Sequence, residues 1–189
     1  MGHEGRHRRD ALANRQAAIE AAAEVLRENP DATMSEIAEQ ADISRSTIYR
    51  HFENREVLFC ELVADVARKA AEQTSEIVAR DAGFEETVRA IAELGIDHGL
   101  RYPFLQARQQ EAAPVMRPLI RESETPFLAY MVAAQRRGEM RSDQPVRWIA
   151  SIQNAVIIAM IGEVLCRRLE RPEAVRILGD TLVAMAAAR

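Results

Sequence analysis

The segment Thr33–Phe59, TMSEIAEQADISRSTIYRHFENREVLF, constrains this chain more than any other stretch of it. It reads as two short helices, a tight turn and the capped start of a longer helix. Thr33 is placed to cap the first helix, with Glu36 closing a capping box, and Ile37 and Ala38 supply its apolar face. The chain turns at Ala41-Asp42-Ile43, and Ser44 caps a second helix that reaches about His51. Ile48 and Phe52, four residues apart, point inward. Arg45, Ser46, Thr47, Tyr49, Arg50 and His51 fall largely on the other faces. A two-turn helix with so few apolar residues and so many donors suits an outer face that meets phosphates and base edges rather than a core.

Around this segment the periodicity is helical throughout. Residues 1–9, MGHEGRHRR, have no apolar period and read as a flexible basic arm, its Arg6, Arg8 and Arg9 within reach of a phosphate or a minor groove. From Asp10, a stripe of Leu12, Ile19, Ala22, Ala23 and Leu26 predicts a first helix stopping near Asn29-Pro30. Residues 10–53 thus form a helix-turn-helix unit, and residues 54–189 a larger helical domain. Asn54 caps a long fourth helix with Leu58, Leu62, Val66, Ala70 and Ile77 on one face, broken at Asp81-Ala82-Gly83. A fifth helix spans Phe84 to Leu100 and a short sixth Phe104 to Glu111. Pro114 and Pro118 mark an irregular stretch before a seventh helix from about Leu119 to Arg137, in which Pro126 predicts a kink. Pro145 and Pro172 suit the first positions of an eighth helix, to about Leu169, and a ninth, ending near Ala187. The fold class is all-α, with about nine helices.

The run Ser44-Arg45-Ser46-Thr47-Ile48-Tyr49-Arg50-His51-Phe52, followed by Asn54-Arg55-Glu56-Val57-Leu58-Phe59, resembles the signature of the tetracycline-repressor (TetR) family of bacterial transcription regulators. One residue departs from the pattern: the turn usually carries Gly, and here it carries Asp42, which tolerates left-handed backbone better than most residues. The resemblance implies that Thr47, Tyr49 and His51 contact phosphate or bases, that Arg55 contacts phosphate and that Arg45 reads bases; Ser46 and Arg50 share that surface. A bidentate Arg45 contact to guanine is the physical counterpart. It implies too a cavity among the fourth to eighth helices where a small molecule shifts the fourth helix and separates two recognition helices. His98, Tyr102, Phe104, Gln106, Arg108, Trp148, Gln153 and Asn154 are the candidates to line it, around a largely apolar effector. Residues Ile152 to Leu165 are apolar on more than one face, and Ala155, Ala159 and Gly162 permit close helix approach. A homodimer through a four-helix bundle of the last two helices accounts for both, and gives two reading heads for a palindromic double-stranded DNA operator.

Composition narrows the alternatives. The 189 residues carry a net charge of −4, which argues against indiscriminate coating of nucleic acid. Residues 1–55 hold eight arginines and no lysine against ten acids, a balance of −2, so DNA binding rests on where the arginines sit. That acidity keeps a second reading open: a helical small-molecule-binding or scaffolding protein whose helix-turn-helix no longer reads DNA. Cys60 and Cys166 lie far apart on apolar helix faces and read as buried free thiols of a reducing, cytoplasmic compartment. The longest apolar stretch, Ala155 to Gly162, is too short to span a bilayer. No Gly-rich phosphate loop, metal-ligand spacing or Ser/His/Asp arrangement points to an enzyme, a cofactor or a metal.

Overall fold

The computed structural model describes residues 3–107 and 113–188, with side chains for 12–105 and 124–188. The helices are α1 (His3–Glu28), α2 (Met34–Gln40), α3 (Arg45–His51), α4 (Arg55–Ala79), α5 (Phe84–Arg101), α6 (Pro103–Ala107), α7 (Ala113–Arg137), α8 (Val146–Leu165) and α9 (Arg171–Ala186). Two compact units result: Met1–Val66 with Ala107–Leu119, and Ala67–Gln106 with Ile120–Arg189.

In the first unit, α1, α2 and α3 pack on one another and the start of α4 closes the core. The local signals produce the expected elements. Thr33 and Glu36 form a reciprocal capping box at α2, the Thr33 N–H reaching the carboxylate at 2.6 Å. Asp42 adopts a left-handed φ of 52° and carries the turn without a glycine, because its N–H reaches Glu39 O at 3.1 Å while Ile43 N–H closes on Ala38 O at 3.0 Å. Ser44 caps α3 and Asn54 caps α4. Ile37, Ile48, Phe52, Leu58 and Leu62 meet in a core, each at most 1% exposed. Arg15 lies over the Phe52 ring at 5.5 Å and pairs with Glu61 at 2.7 Å.

In the second unit, α5, α8 and α9 form a mutually packed trio. Its centre is Val88, Ala92 and Ile96 against Met131, Ile149, Leu178 and Leu182. Arg171 bridges α9 to Glu93 and Asp97 of α5, and Arg89 of α5 pairs with Asp180 of α9. Gln135 donates to the carbonyls of Arg141 and Gln144, pinning the loop after α7. A short antiparallel bridge joins Met140 to Ala187 there.

Several expectations are corrected. Helix α1 begins at His3, so residues 3–9, read as a flexible arm, form its first turns; their Glu and Arg residues are good helix formers. Helix α7 starts at Ala113 rather than near Leu119. Pro114 falls in its first turn, where a missing N–H is harmless, and Pro118 and Pro126 are accommodated within it. Pro145 is the N-cap of α8 instead of its first helical residue, and α8 ends at Leu165. Cys166 is exposed at that C-cap and Cys60 half-buried, so neither is a fully buried thiol. The apolar run around Ala155 extends N-terminally through Trp148 and Ile149, so α8, with mean hydropathy 1.6, is long and apolar enough to cross a membrane by length and composition.

Gly99 marks the closest approach in the trio, since a Cβ built there would lie 2.2 Å from Ile161 Cδ1. Gly99→Ala is therefore expected to lower unfolding stability by about 1–3 kcal/mol, outweighing the roughly 1 kcal/mol gain in helix propensity. In an Ile161→Ala background the same substitution should cost nothing, a double-mutant cycle readable by urea unfolding.

Candidate nucleic-acid interface and ligand cavity

Two features of the chain can bind something. The first is the outer face of α3. Ile48 and Phe52, at 0% and 1% exposure, turn one side of this seven-residue helix into the core. Arg45, Ser46, Tyr49 and Arg50 are thereby left exposed, with Tyr49 at 53%. The hydroxyls at the helix start form a small network, Ser44 Oγ lying 2.9 Å from Ser46 Oγ and 2.8 Å from Thr47 Oγ1. Thr47 is half-buried within it.

His51 and Arg55 differ from the others. His51 is half-buried, with Nε2 buried and without a partner among the described residues. Burial first, then the charges of Arg50 and Arg15, hold its pKa below the usual imidazole value. It is therefore a neutral donor rather than a cation at neutral pH. Arg55 turns partly inward, its Nε donating to Ala32 O at 2.8 Å and its Nη2 to Pro30 O. Two of its five N–H donors thus tie the start of α4 to the linker before α2, and the remaining three stay for an outside acceptor.

The second feature is a cavity of about 270 Å³ within the second unit, walled by α4, α5, α7, α8 and α9. Ile91, Leu94, Phe127, Leu128 and Ile157 make most of the wall apolar. His98 and Gln153 of the sequence candidates line it, and so does Asn154. His98 Nε2 lies 2.6 Å from Gln73 Oε1, which accepts, so the ring hydrogen sits on Nε2. Burial first, then the Arg101 charge, push the His98 pKa below its usual value, with Asp97 opposing.

The other candidates lie elsewhere. Tyr102 and Phe104 are core residues, edge-on to each other at 6.2 Å, and Tyr102 backs the His98 ring at 5.8 Å. Trp148 is 57% exposed and does not line the cavity, because the first turn of α8 points it outward. Arg108 lies outside the described residues, as does the Gln106 side chain. Thr74 and Glu124 line the cavity and were not anticipated. A signal for Glu124 existed: Phe127 and Leu128, three and four residues on, share its helix face.

The pH response of the second unit follows from His98. As pH falls through the ordinary imidazole value of 6.5, the unfolded chain takes up its proton before the folded protein does. The His98 contribution to stability is thus complete above that range and declines below it. His98→Gln keeps a donor toward Gln73 and removes the titration. Its melting temperature should fall less steeply than the parent's between about pH 7 and about pH 5; His51 titrates alike in both proteins and drops out of the difference.

Comparison with known proteins finds relatives in sequence and in fold. The family described as bacterial regulatory proteins, tetR family, matches residues 18–62, from the second half of α1 into α4. The chain is 29% identical over 178 residues to the HTH-type transcriptional repressor BepR of Brucella suis biovar 1 (strain 1330), covering 83% of this chain and 81% of that one. In fold it is similar to the TetR-like regulator LfrR of Mycobacterium smegmatis, solved with proflavine (TM-score 0.73, 20% identity, 92% of this chain and 96% of that). It is likewise similar to the regulator FadR of Bacillus subtilis, solved with stearoyl-CoA (TM-score 0.75, 19% identity, 90% of this chain and 96% of that).

Proposed function

We propose, from the match of residues 18–62 to the bacterial tetR family and the likeness to BepR, that the chain is a transcriptional repressor of that family that binds a palindromic operator as a dimer and leaves it when a small effector fills the cavity. The observation that carries this reading is the exposed, donor-rich face of α3, held outward by the burial of Ile48 and Phe52. Arg45 reads a base edge in the major groove, and Ser46, Thr47, Tyr49, Arg50, His51 and Arg55 position the helix against phosphates. The similarity to BepR, a repressor, favours repression.

Dimerisation runs through α8 and α9. Ala155 and Ala159 are exposed on α8, Gly162 has nothing within 4 Å of a Cβ built on it, and Leu165 is 45% exposed. That stripe of small and apolar residues suits close packing against the same helix of a second copy. The effector occupies the 270 Å³ cavity. LfrR with proflavine and FadR with stearoyl-CoA both hold ligands with large apolar bodies, and this volume suits the compact dye class better than a long-chain acyl thioester. Helix α4 is the natural coupling element, for it starts at Arg55 and contributes Ala70 and Thr74 to the cavity wall. Effector and operator then prefer different positions of α4, and each weakens the other's binding by the same factor.

Selection of bound sequences from random duplex DNA tests the reading. A palindrome with half-sites about one helical turn apart is expected. No enrichment, together with no complex at low salt, where phosphate contacts are strongest, would leave a ligand-binding protein that does not read DNA. On the selected operator, Arg45→Ala should cost about 1–3 kcal/mol and relax preference at one position per half-site. Tyr49→Ala should weaken all sequences alike. Ala159→Arg, on the exposed face of α8, should sediment as a folded monomer and lose operator affinity; a dimer surviving that change would move the interface elsewhere.

A further inference from the structure

Among the described residues, the polar side chains lining the cavity are Thr74, His98, Glu124, Gln153 and Asn154. Three of them are accounted for. Glu124 already has a partner. Gln153 donates from Nε2 to the Leu182 carbonyl, and its Oε1 is sealed off by the protein. Asn154 is exposed, where bulk water serves it. Thr74 and His98 remain.

Thr74 is 7% exposed, and its hydroxyl has no hydrogen-bond partner among the described residues. His98 spends Nε2 on Gln73 at 2.6 Å, which leaves Nδ1 of the neutral ring with a lone pair and no partner among the described residues. Neither atom is sealed: the buried side-chain polar atoms without a partner are His51 Nε2, Thr87 Oγ1 and Gln153 Oε1 among the described residues. Both thus keep surface that a small molecule can reach. They also lie together, because Gln73, which holds the His98 ring, is the chain neighbour of Thr74. A lone pair beside a hydroxyl calls for a group that both donates and accepts, and a hydroxyl does both. Water entering the cavity can serve the two atoms, whereas a ligand that displaces it without bringing a hydroxyl strands them. A charged ligand fits poorly: Ile91, Leu94, Phe127 and Ile157 make the wall apolar, and among the described residues no lysine or arginine lines it.

Resting on the effector site above, we propose that the cavity takes a compact, uncharged, largely apolar alcohol or phenol whose hydroxyl donates to His98 Nδ1 and accepts from the Thr74 hydroxyl. The test is equilibrium dialysis of the full-length protein at neutral pH against three ring-matched probes. These are 2-naphthol, which donates and accepts; 2-methoxynaphthalene, which only accepts; and 2-methylnaphthalene, which does neither. The naphthol should bind about tenfold tighter than either of the others. Thr74→Val keeps the shape of the side chain, and His98→Gln keeps a donor toward Gln73. Each should lower naphthol affinity by about fivefold and leave methylnaphthalene affinity unchanged. Melting curves check that the variants fold; if one does not, the other decides, and if neither does, the probe ranking decides.

Equal binding of the three probes, methoxynaphthalene binding as tightly as naphthol, no binding by any, or parental naphthol affinity in either folded variant would overturn the proposal. Operator release is measured separately on the same samples. A ranking that holds while the operator stays bound upholds the hydroxyl site and overturns effector-driven release. Release by some other ligand, with the ranking absent, does the reverse.

Discussion

The burial of Ile48 and Phe52 is the interaction on which the reading surface depends. A seven-residue helix has no stability of its own, because the cost of nucleation exceeds what so few backbone hydrogen bonds return. Each of the two side chains contributes about 1.5–3 kcal/mol when fully buried, and together they dock α3 on α1 and α2. Once they are seated, the helical period leaves no freedom to Arg45, Ser46, Tyr49 and Arg50, which must face outward. Arg15 reinforces the arrangement from α1, lying over Phe52 while pairing with Glu61 of α4. The ability to present donors outward is thus a consequence of two apolar contacts inward.

The second unit solves a different problem. Its helices must pack tightly enough to hold together and still leave a void. The two demands fall on different parts of the same helices: α5 meets α8 so closely at Gly99 that no Cβ fits, whereas Ile91, Leu94 and Gly95 of α5 stand beside the cavity. Cavities forfeit dispersion contacts between protein groups on their lining, so a void of about 270 Å³ between the helices costs stability. The unmet oxygen of Gln153 adds to it. Arg171 across Glu93 and Asp97, and the dense centre around Met131, Ile149 and Leu178, offset that cost through residues that do not line the void.

What the sequence made legible divides along the same line. The first unit is built from local signals: a capping box, a serine cap, an asparagine cap, and apolar pairs four residues apart. Each operates within a few residues, so each could be read directly, and even the glycine-free turn resolved as Asp42 allowed. The cavity is built from five helices scattered along the chain, and membership in its wall depends on tertiary placement that periodicity does not encode. Trp148 falls outside the cavity wall because its position in the first turn of α8 turns it outward, which aromaticity alone does not reveal. Glu124 was passed over because it sits among Ser123, Thr125 and Pro126, where a charge reads as surface. Residues 3–9 read as an arm because they lack an apolar stripe, and propensity without amphipathicity is a weak guide in either direction.

The charge balance of the first unit acquires a sharper meaning from its structure. Most of its described arginines are already engaged: Arg15 with Glu61 and Phe52, Arg27 with Glu28, Arg55 with the Ala32 and Pro30 carbonyls. Arg45 and Arg50 are the two on the exposed face of α3, and His51 beside them is held neutral. Among the described side chains, α3 itself brings Arg45 and Arg50 to a duplex and on its own gains little from the sequence-independent electrostatic term that dominates non-specific binding. On the proposed dimeric reading, affinity comes also from well-formed polar contacts and from pairing two units on one site, where the second engagement is intramolecular. An operator reader built this way is weak when its two heads are spaced wrongly, because neither half holds the DNA by charge alone. On the proposed reading, that weakness lets a small displacement of α4, driven by a molecule in the cavity, act as a switch.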